Sequence, residues 1–249
     1  MIATFQPKQA TPKQAELVKY WNEKLESSSP ETILRWAVTT FAPKLTMGTA
    51  LGSSGCVILS ILARIETKIP VFNLDTGYQF PETLELLDRI STKYGIEITR
   101  RSAEISVAEY EAVHGGPLYR IDPDRCCYDR KIRVLESIAP NYDAWISGLR
   151  RDQGPTRAKT PVIGWDARFG LIKIAPLALW TNKEVWDIIV KESIPYNTLY
   201  DRGYKSIGCA PCTRPTLPDE DERAGRWSGQ LKTECGLHQV NESLTTAQL

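Results

Sequence analysis

Apolar residues recur at helical spacing at the start of the chain. Leu17, Val18, Trp21 and Leu25 form one stripe; Ile33, Leu34, Trp36 and Ala37 form a second behind Ser28 and Glu31, which read as a capping box. Both segments are read as packing helices. The pattern then becomes a run, Leu45-Thr-Met-Gly-Thr-Ala-Leu51, that predicts a buried strand. It leads into Gly52-Ser-Ser-Gly55 and an apolar helix from Cys56 to about Arg64. A second strand, Val71 to Leu74, ends in Asp75-Thr-Gly77, and Phe80-Pro81-Glu82 opens a helix with Leu84, Leu87 and Ile90 on its apolar face. Ile96 to Arg100 predicts a third strand, and Asp143 to Ser147 a fourth running into Gly148-Leu-Arg-Arg-Asp-Gln153. Thr181 and Glu184 cap a late helix whose Trp180 and Trp186 are assigned to the core. Strands alternating with helices predict an α/β fold, a mostly parallel sheet flanked by helices with right-handed crossovers. Periodicity is lost from Thr216 onward. The expected division is therefore a body over 1–215 and a mobile C-terminal tail over 216–249.

Polar residues at the carboxyl ends of parallel strands lie where open α/β sheets bind ligands. Gly52, Ser53 and Ser54 can aim backbone N–H groups and a helix start at an anion, although Gly-Ser turns after strands are common. The loop lacks the Gly-Lys-Ser/Thr of a P-loop, which excludes a triphosphatase of that type. Asp75 and Thr76 are candidates on the second strand. Arg150, Arg151 and Arg157 follow the fourth, and Arg214, Arg223 and Arg226 come later. Guanidinium groups on loops after strand ends suit phosphate and sulfate oxygens.

Charge narrows the partners. With 249 residues, 42% hydrophobic and a net charge of +1, the chain is one sizeable domain with or without a tail. It has no basic excess for nucleic acid and no apolar run for a membrane span. The segment Met1 to Lys8 has no signal-peptide pattern, so a cytoplasmic location is expected. In a reducing compartment the six cysteines are read as ligands and nucleophiles rather than disulfides. Cys126-Cys127 and the Cys209-Ala-Pro-Cys212 turn together make a four-thiolate site for zinc or an iron–sulfur cluster. Vicinal cysteines cannot form a zinc knuckle, which favours the cluster. Lys131, four residues after Cys127 on the same helical face, either stands between cluster and anionic ligand or is merely solvated. Cys56 is read as a small buried hydrophobe. Cys235 has Lys232 and His238 three residues away on either side, cationic company that raises a thiolate fraction, and is read as a nucleophile.

The Cys-Cys pair, Gly203-Tyr-Lys-Ser-Ile-Gly-Cys-Ala-Pro-Cys-Thr-Arg-Pro215, Asp221-Glu-Arg-Ala-Gly-Arg-Trp227 and Glu234-Cys-Gly-Leu-His238 together resemble the assimilatory adenylyl-sulfate (APS) reductases, relatives of the phosphoadenylyl-sulfate (PAPS) reductases. The similarity runs from about residue 45 to 240. It implies an adenine-nucleotide hydrolase-like, Rossmann-like fold and a [4Fe-4S] cluster on Cys126, Cys127, Cys209 and Cys212. The resemblance also implies a catalytic thiol at Cys235, Lys131 near cluster and substrate, Arg157, Arg223 and Arg226 on the phosphosulfate, and Leu74, Thr76 and Gly148 around the nucleotide. The implied reaction is attack by Cys235 on the sulfuryl sulfur of APS, then release of sulfite by reduced thioredoxin or glutaredoxin. A homo-oligomer is compatible with it. Many relatives carry Ser-Phe-Gly-Ala-Glu-Asp where this chain has Ala50-Leu-Gly-Ser-Ser-Gly55. Without the acidic pair, a 3′-phosphate is expected to be tolerated, so PAPS or dual specificity is the alternative. A zinc-stabilised nucleotide-binding module would explain the four cysteines but gives Cys235 no purpose. An ATP-handling enzyme of the same fold should show a Ser-Gly-Gly-x-Asp-Ser loop, which is absent.

Overall fold

The structure is a computed structural model that describes residues 6–65, 68–230 and 232–238. The expectation for Met1 to Phe5 and that for the end of the tail, 239–249, lie outside the described residues.

Two N-terminal helices come first, α1 (Pro12–Leu25) and α2 (Pro30–Phe41). The cap of α2 is Ser29, whose hydroxyl accepts from Thr32 N at 3.2 Å, rather than the predicted Ser28–Glu31 box. Pro30 explains the shift, because its fixed φ and missing N–H suit the first helical position and so make the preceding residue the cap. Then β1 (Leu45–Gly48), α3 (Ser53–Arg64), β2 (Val71–Asp75), α4 (Pro81–Tyr94) and β3 (Ile98–Ser102) follow in alternation. The expected first strand ends early, at Gly48, because Leu51 turns to φ 54° and α3 begins at Ser53. Short helices α5 (Val107–His114), α6 (Leu118–Ile121), α7 (Pro123–Cys127) and α8 (Arg133–Ile138) lead to β4 (Ala144–Ile146). Two strands that the sequence reading did not name, β5 (Ile163–Asp166) and β6 (Leu171–Ile174), form a hairpin before α9 (Asn182–Lys191).

The six strands lie in the order β3-β2-β1-β4-β6-β5, all parallel except for β5, which runs antiparallel on the edge. Alternation assigns the two faces. Leu45, Met47, Val71, Ala144, Ile146, Ile172 and Ile174 bury into the main core with α1 to α4 and α9, and Trp180 and Trp186 pack against it. Phe72, Trp145 and Leu171 point the other way, onto Ile132 and Leu135. Thus α3, apolar almost all round, packs on one face, and the segment after the cysteine pair covers the other. The order in which strands are added reverses between the parallel neighbours β1 and β4, which opens the crevice where such sheets hold ligands.

Candidate active site

The crevice opens beyond Gly48 of β1. Thr49 Oγ1 accepts from Leu51 N at 3.0 Å and lies 2.7 Å from where a Cβ on Gly55 would be, so only glycine lets the loop fold this tightly. Ser53 and Ser54 form the first turn of α3. Ser53 N donates to the Tyr200 hydroxyl at 3.0 Å, and Ser54 Oγ accepts from Arg150 Nη1 at 2.6 Å. Gly52, Ser53, Ser54, Leu74, Thr76 and Gly148 all line a cavity of about 220 Å³. Phe72 and Trp145 belong to its floor, and Lys205 to Cys209 to one wall.

Four sequence candidates do not reach this cavity; one, Arg214, is taken up by Ser228 and Glu220. Asp75 accepts from Gly77 N at 2.9 Å and pairs with Arg100; burial opposes its charge, yet the guanidinium holds its carboxyl below the usual range. Arg150 is wholly buried and binds Asp152, Ser54 and Glu222, so it braces the loop from behind. Arg151 is spent on Thr160 O and Glu26. Conversely, Gln79, Gln153, Tyr200, Lys205 and Glu222 line the cavity without having been singled out. Gln153 sits in the polar run after β4 and could have been found; Tyr200 carries no sequence signal.

Lys131, Arg157, Arg223 and Arg226 converge in the cavity with Cys235 and His238. The tail reaches it because Trp227 is buried and its backbone N–H donates to Cys212 O at 3.0 Å, and because Gly236 turns at φ +82° against Ile132. Arg157 donates through Nε and Nη2 to the Glu234 carboxylate at 2.8 and 2.9 Å, and through Nη1 to Gln153 Oε1 at 2.7 Å. Arg223 Nη2 joins the same carboxylate at 3.0 Å. Burial, reinforced by the like charge of Arg157, pushes Arg223 down to about 10. Lys131 is held well above its ordinary value: burial opposes its charge, but Cys209, Cys235 and Cys127 outweigh that. His238 stacks on Trp145 with centroids 5.6 Å apart. Burial, then Lys173, Arg157 and Arg223, drives its pKa well below 6.5, so its ring is neutral near pH 7. The cations that interact with Cys235 are therefore Lys131 and Arg223 rather than His238. Lys232 pairs instead with Asp124 on α7 and lies 5.4 Å over the Trp227 ring.

Beside this cavity lies a smaller one lined by Cys126, Cys127, Cys209 and Cys212, with Thr76, Lys131 and Trp227. Asp122 caps α7, accepting from Arg125 N at 2.9 Å, and Pro123 opens it. After Cys127 the helix widens into a π turn, Tyr128–Ile132. The turn is anchored by Asp129, which accepts from Tyr110 Oη at 3.0 Å and Arg125 Nε at 2.6 Å, and by Arg130, which donates to Thr76 O at 2.9 Å. On the other side Ala210 N bonds Tyr78 O at 2.7 Å, and Thr76 Oγ1 lies 3.3 Å from Cys209 Sγ. All four thiols are free. Burial and neighbouring sulfurs push Cys126 up to about 12, whereas Lys131 and Thr76 overcome burial to lower Cys209. Among the described residues no group of three or more His, Cys, Asp or Glu that could hold a metal ion is found. Four free thiols line one cavity, a donor set of the kind that iron–sulfur clusters take.

Residues 44–215 match the family described as the phosphoadenosine phosphosulfate reductase domain. The chain is 43% identical over 219 residues to adenosine 5′-phosphosulfate reductase of Halalkalibacterium halodurans, covering 88% of this chain and 95% of that one. It is 42% identical to phosphoadenosine 5′-phosphosulfate reductase of Gloeobacter violaceus, covering 89% and 92%. Among solved structures, PAPS reductase of Candida auris in a phosphate complex superposes with a TM-score of 0.72 at 29% identity, covering 84% of this chain and all of that one. An FMN adenylyltransferase of Candida glabrata, at 17% identity and a TM-score of 0.54, shares the fold alone. With its cavity at the strand switch point and its reductase-family match over most of its length, the chain belongs to the phosphoadenosine phosphosulfate reductase domain family.

Proposed function

We propose that the chain reduces adenosine 5′-phosphosulfate to sulfite and AMP. The observation that carries this reading is the meeting, in one cavity, of the Cys235 thiol, four cations (Lys131, Arg157, Arg223 and Arg226) and a glycine–serine loop at a helix start. Adenosine would lie against Leu74, Gly148 and the loop, and the phosphosulfate against the guanidinium groups. The Cys235 thiolate attacks the sulfuryl sulfur as the bond from that sulfur to the bridging phosphate oxygen breaks. AMP leaves with that electron pair, and Cys235 keeps the sulfonate. The arginines and Lys131 neutralise charge growing on the leaving phosphate. A reduced dithiol of the thioredoxin or glutaredoxin type then attacks Cys235 Sγ. Sulfite departs with the S–S electron pair, and the second thiol closes the disulfide and frees Cys235. The tail from Thr216 is the part that must shift between the two steps.

The four-thiol cavity fits a [4Fe-4S] cluster held by Cys126, Cys127, Cys209 and Cys212, with Lys131 between it and the substrate. Such a cluster would supply fixed negative charge and cross-linking there. A second specificity is favoured by one observation: the Gly52–Gly55 loop has no acidic side chain to repel a 3′-phosphate, and the Gloeobacter relative is named for PAPS. APS is expected to be preferred with measurable PAPS turnover, and a tenfold preference in kcat/KM is only about 1.4 kcal/mol. Kinetics with both nucleotides decide it; faster PAPS turnover would reassign the substrate. The mechanism is tested by mixing enzyme and APS without reductant. About one AMP per site should appear and stop, with sulfonate on Cys235, and Cys235→Ser should show no burst while retaining iron. Sulfite production at the native rate by that variant would sink the proposal.

A further inference from the structure

Glu234 immediately precedes the proposed nucleophile and has no part in the reaction written above, yet its carboxylate is the best-bonded anion in the cavity region. Oε1 accepts from Arg157 Nε at 2.8 Å and Thr156 Oγ1 at 3.3 Å; Oε2 accepts from Arg157 Nη2 at 2.9 Å and Arg223 Nη2 at 3.0 Å. The side chains of Arg157, Arg223 and Glu234 are 9%, 16% and 13% exposed, so these are largely desolvated charges. The forked Nε/Nη2 edge of Arg157 is the one suited to a bidentate oxyanion. Its remaining arm holds Gln153. An incoming phosphosulfate thus finds the better edge of Arg157, and one arm of Arg223, already taken.

We propose that Glu234 is an internal occupant of the anion subsite: its carboxylate fills the place of the phosphosulfate in the empty enzyme and is displaced when a doubly charged nucleotide enters. The inference rests on the reading of Arg157 and Arg223 as phosphosulfate ligands. Physically, two guanidinium groups buried side be side repel each other, and a carboxylate between them relieves this in the empty state. A substrate with one charge on phosphate and one on sulfate offers the same cations twice the charge, so it can win the exchange. Because Glu234 and Cys235 are adjacent, displacement of the carboxylate must also move the thiol. Occupancy of the subsite is then coupled to repositioning of the nucleophile, with Lys232 on Asp124 as the second pin of the same segment. Linkage makes the coupling reciprocal: whatever frees the segment tightens the nucleotide, and the nucleotide frees the segment.

The test uses the full-length, anaerobically purified protein and ADP, whose diphosphate resembles the phosphosulfate but cannot transfer sulfonate. Glu234→Gln removes the competing charge and keeps the side chain's size. It should bind ADP about tenfold more tightly than the native protein. A carboxylate that merely aligned the arginines for substrate would give the opposite sign, so equal or weaker binding overturns the proposal. Independently of any variant, saturating ADP should speed alkylation of Cys235 by iodoacetamide in the native protein severalfold, read by peptide mass spectrometry; unchanged or slower labelling also overturns it. Neither readout needs turnover. An enzyme that failed the AMP burst would refute the proposed reaction while leaving both measurements interpretable.

Discussion

Arg157 is where charge and geometry separate. Lysine in its place would keep a cation but lose the fork that reaches two oxygens at once. Charged hydrogen bonds of this kind are worth about 1.5–3 kcal/mol, so Arg157→Lys should lower kcat/KM for APS roughly 10- to 100-fold. Iron content should not change, since Arg157 is absent from the cysteine-lined cavity; loss of iron in parallel would show that the residue supports the fold instead. Gly236 is the second such position. At φ +82° a side chain is strained, and a Cβ would sit 2.8 Å from Ile132 Cδ1. The left-handed penalty alone is about 1–2 kcal/mol. Gly236→Ala should therefore slow the AMP burst by about tenfold without weakening ADP binding, as stopped-flow and titration would read.

Two short elements, α7 with its π turn and the Cys209–Cys212 turn, carry the thiols, and neither belongs to the main hydrophobic core. Replacing Cys126, Cys127, Cys209 or Cys212 by serine is expected to lose iron and activity together while leaving far-ultraviolet dichroism unchanged. Stoichiometric zinc in a fully active native enzyme would refute the cluster. These elements were the most legible part of the site, because thiol spacing is chemistry written directly in sequence. The alternating strands were legible too, since Leu45, Val71 and Ala144 open buried runs. Ends were less so: Pro30 moved the α2 cap to Ser29, and Leu51 left the strand early. Which arginine reaches the cavity was legible through the family resemblance, which singles out Arg157, but not from position along the chain. Arg150, Arg151 and Arg157 share one loop, yet Asp152 and Glu222 claim the first, Glu26 the second, and only the third reaches the cavity. That choice is made by partners distant in sequence.

Across the whole molecule, the packed segment ending at His238 responds to pH through two groups of opposite habit. Burial opposes ionisation of Glu234, but Arg157 and Arg223 hold its carboxyl below the ordinary range, so its contribution is complete at neutral pH and lost only as pH falls through that lowered value. His238, faced by Lys173, Arg157 and Arg223, is neutral when packed. Below an ordinary imidazole pKa of about 6.5 the released segment takes up a proton that the packed one refuses, so packing weakens as pH falls from there. Limited proteolysis after Lys232 should accordingly be faster at pH 5.5 than at 7.5, and His238→Gln should flatten the difference; equal native rates would contradict this. The strand order has a further consequence, for synthesis. The inner edge of β1 pairs with β4, which leaves the ribosome roughly a hundred residues later, or about 5–20 s at ordinary translation rates. For that interval Leu45, Thr46 and Met47 present an open backbone edge on an apolar strand, a template for pairing with another nascent chain. Chains stalled before Asp143 should therefore clump or occupy chaperones, whereas chains stalled far enough beyond Ile174 for β4 and β6 to have cleared the exit tunnel should not.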